Sequence, residues 1–425
     1  MTETARLAGW LARLESRHAG PGIHLGLERV RAVWTAMRLN PGFVVITVGG
    51  TNGKGSTCAY LEAMLRAAGH RVGLYTSPHL LRYSERVRVD GEEAGAADLV
   101  AGFDAVEAAR GAVALTYFEH ATLAALWLFC KRDADVVVLE VGLGGRLDAV
   151  NVLDADCAVV CSVDLDHQEY LGPDRESIGF EKAGIYRPGR PAICADPDPP
   201  ARLLGHAEAI GAHLLRLGHE FALEIGAEAW SMRWGDARIE SLPPPTLVGM
   251  HQYRNAAAAI AALLSLGDKL SVPRQAIDQG LRVAWTPGRL QCVGHEPLRI
   301  LDVAHNPHAA RVLAQSIARI QPAGGRCIAV LAMLGDKDIE GVVAALAEQV
   351  ALWHVAPLPV PRGAPAQRLT AAIEAVGGVC VAHADVAHAW QGANQEAGHA
   401  DTILTFGSFY TVADVMALLA LDSNG

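Results

Sequence analysis

From residue 43 onward, short β-rich apolar runs alternate with segments of helical composition. FVVITV (43–48) is an apolar run of the kind found in a parallel strand buried on both faces. Residues 56–68 have helical composition, and HRVGLYT (70–76) predicts a second strand. DADVVVLEVG (133–142) and DADCAVVCSVD (154–164) repeat one scheme: a polar start, a β-branched run, and a glycine or acid at the strand end. Such alternation predicts an α/β fold with a doubly wound, mostly parallel sheet.

Proline-rich stretches at 187–200 and 242–249 read as breaks, and the polar, Trp-containing sequence between them predicts a small antiparallel β subregion. The alanine-rich segment 251–266 predicts a strong helix. Residues 285–297 (WTPGRLQCVGHEP) read as a hinge, after which a second α/β series begins with LRILDVAH and ends with DTILTFGSFYTVADVM. The expected domains are therefore 1–290 and a smaller, Rossmann-like α/β domain over 291–425.

Composition narrows the classes. With 51% hydrophobic and 19% charged residues, the chain can bury enough surface to exclude disorder. A net charge of −10 argues against a general nucleic-acid binder. The eight cysteines form no CxxC pair and read as reduced thiols. The N-terminus lacks the apolar run of a signal peptide, and no stretch approaches the roughly 20 apolar residues of a membrane span. A cytoplasmic, membrane-free protein is expected. Only five basic residues are lysines: Lys54, Lys131, Lys182, Lys269 and Lys337.

One of these sits in VITVGGTNGKGSTCAYLEAML, where a strand, a glycine loop and a lysine precede a helix. Glycines let backbone N–H groups approach a phosphate chain, and the helix N-terminus adds positive potential. Lys54 can reach the terminal phosphates and a following hydroxyl can ligate magnesium, although Gly55 separates lysine from serine, unlike the common P-loop spacing. A glycine turn that merely joins strand to helix would look similar. The rare lysine favours nucleotide binding through Gly50, Thr51, Asn52, Gly53, Lys54, Gly55, Ser56 and Thr57.

GGTNGKGS followed by TSPHL (76–80) resembles the folylpolyglutamate synthase/dihydrofolate synthase family of Mur-type ATP-dependent amide ligases. EVGLGGRLDAVN (140–151) is similar to that family's EVGLGGRLDATN, with Val150 replacing threonine. SVDLDHQEYLGPDRESIGFEKAGIYRPG (162–189), HQYRNAAAAIAA (251–262), LDVAHNPHA (301–309) and GSFYTVADVM (407–416) resemble further family blocks. In WTPGRLQ, Gln291 stands where the family has glutamate, which weakens any role for that position. The resemblance runs from about Arg29 to Val415.

It implies magnesium held by Ser77, Glu140 and His167, with Ser56 at the nucleotide-bound ion. A carboxylate ending a strand suits a hard cation, or it caps a loop. Imidazole is an unusual magnesium ligand, so the role of His167 rests on the resemblance alone. Lys182 resembles the family's carbamylated lysine, which could help hold a second magnesium; a surface lysine in an ion pair is the other reading. FEHATLAALWLF (118–129) resembles the helix lining the pterin site and also fits an ordinary core helix. Phe118 and Thr122, with Asp148 and Ala149, are carried over as pterin-site candidates.

Asn255, Arg289 and Asp302 are implied at the nucleotide, and His305 in catalysis. Ser408 and Lys337 fall within family motifs, the latter near glutamate or phosphate or at a solvated helix start. The basic loop 76–91, with Arg82, Arg86 and Arg88, suits an anionic folate tail or carries surface charges; Arg82 is taken as the substrate-binding candidate.

The implied reaction joins L-glutamate to dihydropteroate with ATP, and adds further glutamates to reduced folates, through an acyl phosphate. ATP, two magnesium ions and room for a monovalent cation are the expected cofactors. The small-molecule substrates are dihydropteroate or reduced folate and L-glutamate, with a monomer expected and no nucleic acid or membrane partner. Rival readings are polyglutamylation without dihydrofolate synthesis and a P-loop ATPase switch. A cell-wall ligase on a UDP-linked peptide would need an extra N-terminal domain, for which about 40 residues before the first strand leave no room.

Overall fold

The first apolar run forms the middle of an eight-stranded sheet. In the computed structural model, which describes residues 2–17 and 25–422, that run is β1 (Val44–Gly49). The other strands are β2 (Val72–Tyr75), β3 (Val87–Val89), β4 (Glu92–Glu93), β5 (Val136–Glu140), β6 (Cys157–Val160), β7 (Pro191–Cys194) and β8 (His213–Arg216), in the order β4-β3-β2-β5-β1-β6-β7-β8. Pairing is parallel from β2 to β8, and only the short β3 and β4 run antiparallel at one edge. The unbroken apolar runs follow from this position: all five residues of β5 are buried. Register places Val48 beside Glu140 and Gly49 beside Val160, so β1, β5 and β6 end at one level. Ligands of open α/β sheets collect at such strand ends.

Two units divide the chain. One comprises Met1–Thr246 and Gln252–Trp285, the other Leu247–His251 and Thr286–Gly425; reading the sequence alone placed the division at 290/291. In the first unit the sheet is flanked by α1 (Glu3–Arg17), α2 (Glu28–Met37), α3 (Lys54–Ala67), α4 (Ala96–Arg110), α5 (Tyr117–Lys131), α6 (Gln168–Leu171), α7 (Arg175–Ala183) and α8 (Ala201–Ala209). Its core joins Val137 and Leu139 of β5 to Phe103 of α4 and Leu126 and Phe129 of α5. α1, which the sequence reading did not single out, is tied down by Arg13 and Arg17 against Glu107 of α4 and by Trp10 Nε1 donating to Asp104. The expected antiparallel subregion is a three-stranded sheet of β9 (Phe221–Ile225), β10 (Trp230–Trp234) and β11 (Ala237–Leu242). The stretch 187–200 is more than a break, because it contains β7; Pro191 opens that strand, a position where proline is tolerated.

The alanine-rich helix is α9 (Met250–Ser265), followed by α10 (Arg274–Val283). The second unit holds a six-stranded sheet of β12 (Gln291–His295), β13 (Leu298–Leu301), β14 (Cys327–Leu331), β15 (Val350–Val355), β16 (Cys380–Ala382) and β17 (Thr402–Phe406), in the order β12-β13-β17-β14-β15-β16. Only β12 is antiparallel. The hinge expected over 285–297 is therefore half strand: its polar composition is that of an exposed edge, bulged between Cys292 and Gly294. α11 (Pro307–Ile320), α12 (Ile339–Leu346), α13 (Ala366–Ala375), α14 (Val386–Glu396) and α15 (Phe409–Asp422) complete the unit, with Trp353, Ile373, Leu404 and Phe406 in its core. No helix among the described residues is long and apolar enough to cross a membrane.

Candidate active site

The glycine loop lies between β1 and α3 and is stapled to the segment after β6. Thr51 N–H donates to the Ser162 carbonyl at 2.7 Å, and the Thr51 hydroxyl donates to the Asp164 carbonyl while accepting from Asp164 N–H, both at 3.0 Å. Asn52 N–H donates to Ser162 Oγ at 3.0 Å. Gly53 has φ +90° at the N-cap of α3, and a Cβ there would stand 2.5 Å from Asn255 Oδ1. Glycine is thus required twice over, for backbone conformation and for space. Lys54 curls back and donates to the carbonyls of Gly50 and Thr51 at 3.0 and 3.1 Å. Ser56 and Thr57 are buried in the first turn of α3.

Asn255 and Gln252 approach this turn from α9. Gln252 Nε2 donates to Ser56 Oγ at 3.3 Å, and Asn255 Nδ2 donates to Gln252 Oε1 at 3.0 Å. Reading the sequence alone assigned Gln252 no role of its own, although it belongs to the HQYRN block that opens the helix.

Glu140 ends β5, and its Oε2 accepts the backbone N–H of Ser77 at 3.0 Å, so two of the implied metal residues meet. Lys182, on α7, is 4% exposed, which overturns the surface-lysine alternative. Burial, with Lys54 as the second cause, brings its pKa down to about 7. Cys161 lies among the same charges: burial pushes its thiol up to about 11, Lys54 and Lys182 pull it down and Glu140 pushes it up. His167 opens α6 with φ +51°, beside Asp166. Asp166 also acts on Lys182, favouring its charged form. No three His, Cys, Asp or Glu side chains converge as a metal cage among the described residues. Apart from the His167 imidazole, the candidate donors are a buried carboxylate, hydroxyls and an amine open to modification, which once modified is oxygen chemistry fitting magnesium.

The pterin candidates gather around Tyr75 and the turn after β5. The Phe118 ring lies 5.9 Å from that of Tyr75, tilted by 36°, and closes over Gly142, where a Cβ would come within 2.8 Å of the ring. Thr122 is fully buried and donates to the Tyr75 hydroxyl at 3.4 Å. Asp148 caps the turn that holds the buried Ala149, accepting from Leu143 N–H at 2.8 Å and Val150 N–H at 3.0 Å. Burial pushes Asp148 up to about 6 against those bonds.

The loop arginines separate. Arg82 is exposed and paired with Glu93 at 2.9 Å, and Arg88 pairs with Glu62. Arg86 has no ion pair among the described residues; it donates to His79 Nδ1 at 2.7 Å and lies over Tyr83 and Tyr117 at 5.8 and 5.6 Å. Arg86 is therefore better placed for an anion than Arg82, a difference that depends on partners brought in by β4.

In the second unit, Asp302 follows β13 and accepts Leu290 N–H and Ala304 N–H, both at 2.8 Å. Burial raises its carboxyl and Arg289 opposes that rise. Arg289 lies over Phe409 at 5.5 Å, and the His305 ring stands 6.3 Å from the same phenyl. Gln291 Oε1 accepts Gly288 N–H at 2.9 Å, closing the turn that presents Arg289, so position 291 has a role after all. Ser408 Oγ accepts Tyr410 N–H at the start of α15. Lys337 is 9% exposed and precedes α12, which overturns the solvated-helix-start alternative.

Two family models match the chain: the Mur ligase middle domain over residues 48–263 and the Mur ligase glutamate ligase domain over residues 288–409. The dihydrofolate synthase/folylpolyglutamate synthase of Escherichia coli (strain K12) is 48% identical, covering 99% of this chain and 97% of its own length. The structure of E. coli FolC with DHPP and ADP superposes with a TM-score of 0.93, covering 98% of each chain at 48% identity. The bifunctional folylpolyglutamate synthase/dihydrofolate synthase of Yersinia pestis, complexed with AMPPNP and Mn ion, gives a TM-score of 0.92 at 47% identity and covers 99% of each chain. With the phosphate loop, the Ser77–Glu140 contact and buried Lys182 arranged on a Mur-type sheet, this chain belongs to the dihydrofolate synthase/folylpolyglutamate synthase family of Mur ligases.

Proposed function

We propose that the chain is an ATP-dependent carboxylate–amine ligase that joins L-glutamate to dihydropteroate and adds further glutamates to reduced folates. The observation that carries this is the phosphate loop after β1 beside buried Glu140 ending β5, with buried Lys182 of α7 near enough to feel the charge of Lys54, in a chain 48% identical over its length to a bifunctional relative.

A carboxylate is a poor electrophile, so its attack by an amine needs activation. Transfer of the γ-phosphoryl from ATP to the acceptor carboxylate gives an acyl phosphate and ADP; the glutamate amine then attacks the acyl carbon and phosphate leaves. Such chemistry depends on positioning and electrostatic stabilisation. The N–H groups of the glycine loop and the α3 N-terminus would take the phosphates, with Lys54 leaving its loop carbonyls for them. Ser56, Ser77, Glu140, His167 and a carbamylated Lys182 would hold the magnesium ions, which neutralise phosphate charge when bound. A pKa near 7 leaves much of the Lys182 amine neutral, the form that takes up carbon dioxide. Asn255, Arg289 and Asp302 would contact nucleotide, and His305 would act near the reacting groups. Phe118, with Thr122, Asp148 and Ala149 behind it, would receive the pterin, while Arg86 rather than Arg82 would meet an acceptor carboxylate. A cytoplasmic monomer is the proposed working form.

The test is phosphate release by the purified chain, expected only when pteroate or folate and glutamate are both present. Glutamate-independent turnover, or full activity of Lys54→Ala, would overturn the ligase reading. Comparing dihydropteroate with tetrahydrofolate as acceptor separates the bifunctional enzyme from one that only polyglutamylates.

A further inference from the structure

We propose that Gln252 is a positioning residue that sets the Ser56 hydroxyl and the Asn255 amide together for metal-bound nucleotide. It rests on the reading of the glycine loop as a nucleotide site. Gln252 is 1% exposed and lies one helical turn before Asn255 on α9. Its amide has two ends with opposite hydrogen-bonding character, one used on the first turn of α3 and the other on Asn255 of its own helix. The Nε2 end donates to Ser56 Oγ at 3.3 Å, and the Oε1 end accepts from Asn255 Nδ2 at 3.0 Å.

The chemistry follows from the donor and acceptor inventory. A serine oxygen that accepts from an amide keeps a second lone pair, and the direction of that lone pair is fixed by the first bond. An asparagine whose Nδ2 is held must present Oδ1 to the other side, and here Oδ1 faces Gly53. One buried side chain therefore fixes a hydroxyl suited to a hard cation and a carbonyl oxygen beside the phosphate loop. Neither would keep its orientation by its own rotamer preference alone.

Two variants separate the two ends. Gln252→Met keeps length and burial but removes both bonds; Gln252→Glu keeps an acceptor toward Asn255 and loses the donor toward Ser56. Calorimetric binding of ADP to the full chain, with and without Mg2+, is the readout. Gln252→Met is expected to weaken Mg·ADP by about tenfold, the effect of one or two hydrogen bonds. It should raise KM for Mg·ATP in proportion and leave acceptor KM unchanged. Gln252→Glu adds a negative charge at the loop and should bind metal-free ADP more weakly than the parent. Unchanged Mg·ADP affinity in Gln252→Met overturns the proposal. So does a loss equal with and without Mg2+, which a merely structural glutamine would give. Binding is measured without acceptor or glutamate, so failure of the ligase reading would appear separately, as absent glutamate-dependent phosphate release.

Discussion

The backbone N–H of Ser77 donates to Glu140 Oε2 at 3.0 Å, tying the segment after β2 to the last residue of β5. An N–H bond orients a carboxylate without neutralising it, leaving its charge for a cation. Glu140→Gln keeps an acceptor for Ser77 and removes the charge. Activity should fall by more than about 100-fold, beyond the 10–100-fold typical of losing a partner behind a metal ligand, while the melting temperature holds. Activity measured against Mg2+ concentration is the check; a parent-like curve would remove Glu140 from the metal site.

Lys182 should behave as a group whose modified form matters. Replacing it by alanine is expected to abolish most ligation, and acetate or propionate should restore part of it by placing a carboxylate in the vacated space. Mass spectrometry of the native chain in bicarbonate buffer gives the second reading. Loss of activity with no rescue and no added carbon dioxide mass would leave Lys182 a plain amine.

Arg86 and Arg82 should part company. Arg86→Ala is expected to raise acceptor KM by roughly 10–100-fold, the range for a hydrogen bond to a charged group, with KM for ATP unchanged. Arg82→Ala, which breaks only an exposed pair with Glu93, should change neither. Steady-state kinetics with acceptor and ATP varied in turn decide between them.

Adding one methyl group to the phosphate loop is the smallest of these tests. Gly53→Ala would force a Cβ into Asn255 Oδ1 and strain a backbone at φ +90°. Nucleotide affinity should drop at least about tenfold, an effect of 1–2 kcal/mol, and calorimetry with ADP measures it.

The second unit carries a pH prediction in a pair of stacked imidazoles. His354 Nδ1 and His383 Nε2 are 2.9 Å apart, and His354 is fully buried on β15. Burial is the first cause lowering both rings below the ordinary value of 6.5; Glu396 opposes this for both, joined by Asp385 for His383 alone, while His383 acts on His354 and His388 on His383 to lower them further. A folded state that binds protons less readily than the unfolded chain is most stable above that value. Stability is lost as pH falls below 6.5 toward the folded-state values. Thermal unfolding followed from about pH 7.5 to 5.5 should show this loss, and His354→Leu should flatten it. An identical slope in the variant would sink the assignment.

Much of this was legible in the sequence, because parallel strands buried on both faces advertise themselves as unbroken apolar runs. β1, β5 and β6 could be read directly, together with the loops that follow them. β12 escaped because an exposed, bulged edge strand needs few apolar residues, and α1 because its hold on α4 is made by arginines that resemble ordinary surface charge. The site was harder where it depends on pairing. No feature of TSPHLLRYSERVRV says that Glu93 will take Arg82 and Glu62 will take Arg88, leaving Arg86. Likewise Lys337 precedes α12 as anticipated, yet packing encloses it, and only tertiary contacts decide that.

Thr51 and Asp164 hold one another across 113 positions of chain. The phosphate loop therefore cannot take its final shape as the ribosome delivers it. Contacts of such sequence separation form late, after the entropy of closing a long loop has been overcome. A nascent chain ending before β6 would carry the whole glycine motif and still lack the staples that shape it. The loop can take its final shape only once residue 164 has emerged and paired, and full nucleotide affinity must wait longer still, for Gln252 and Asn255 of α9.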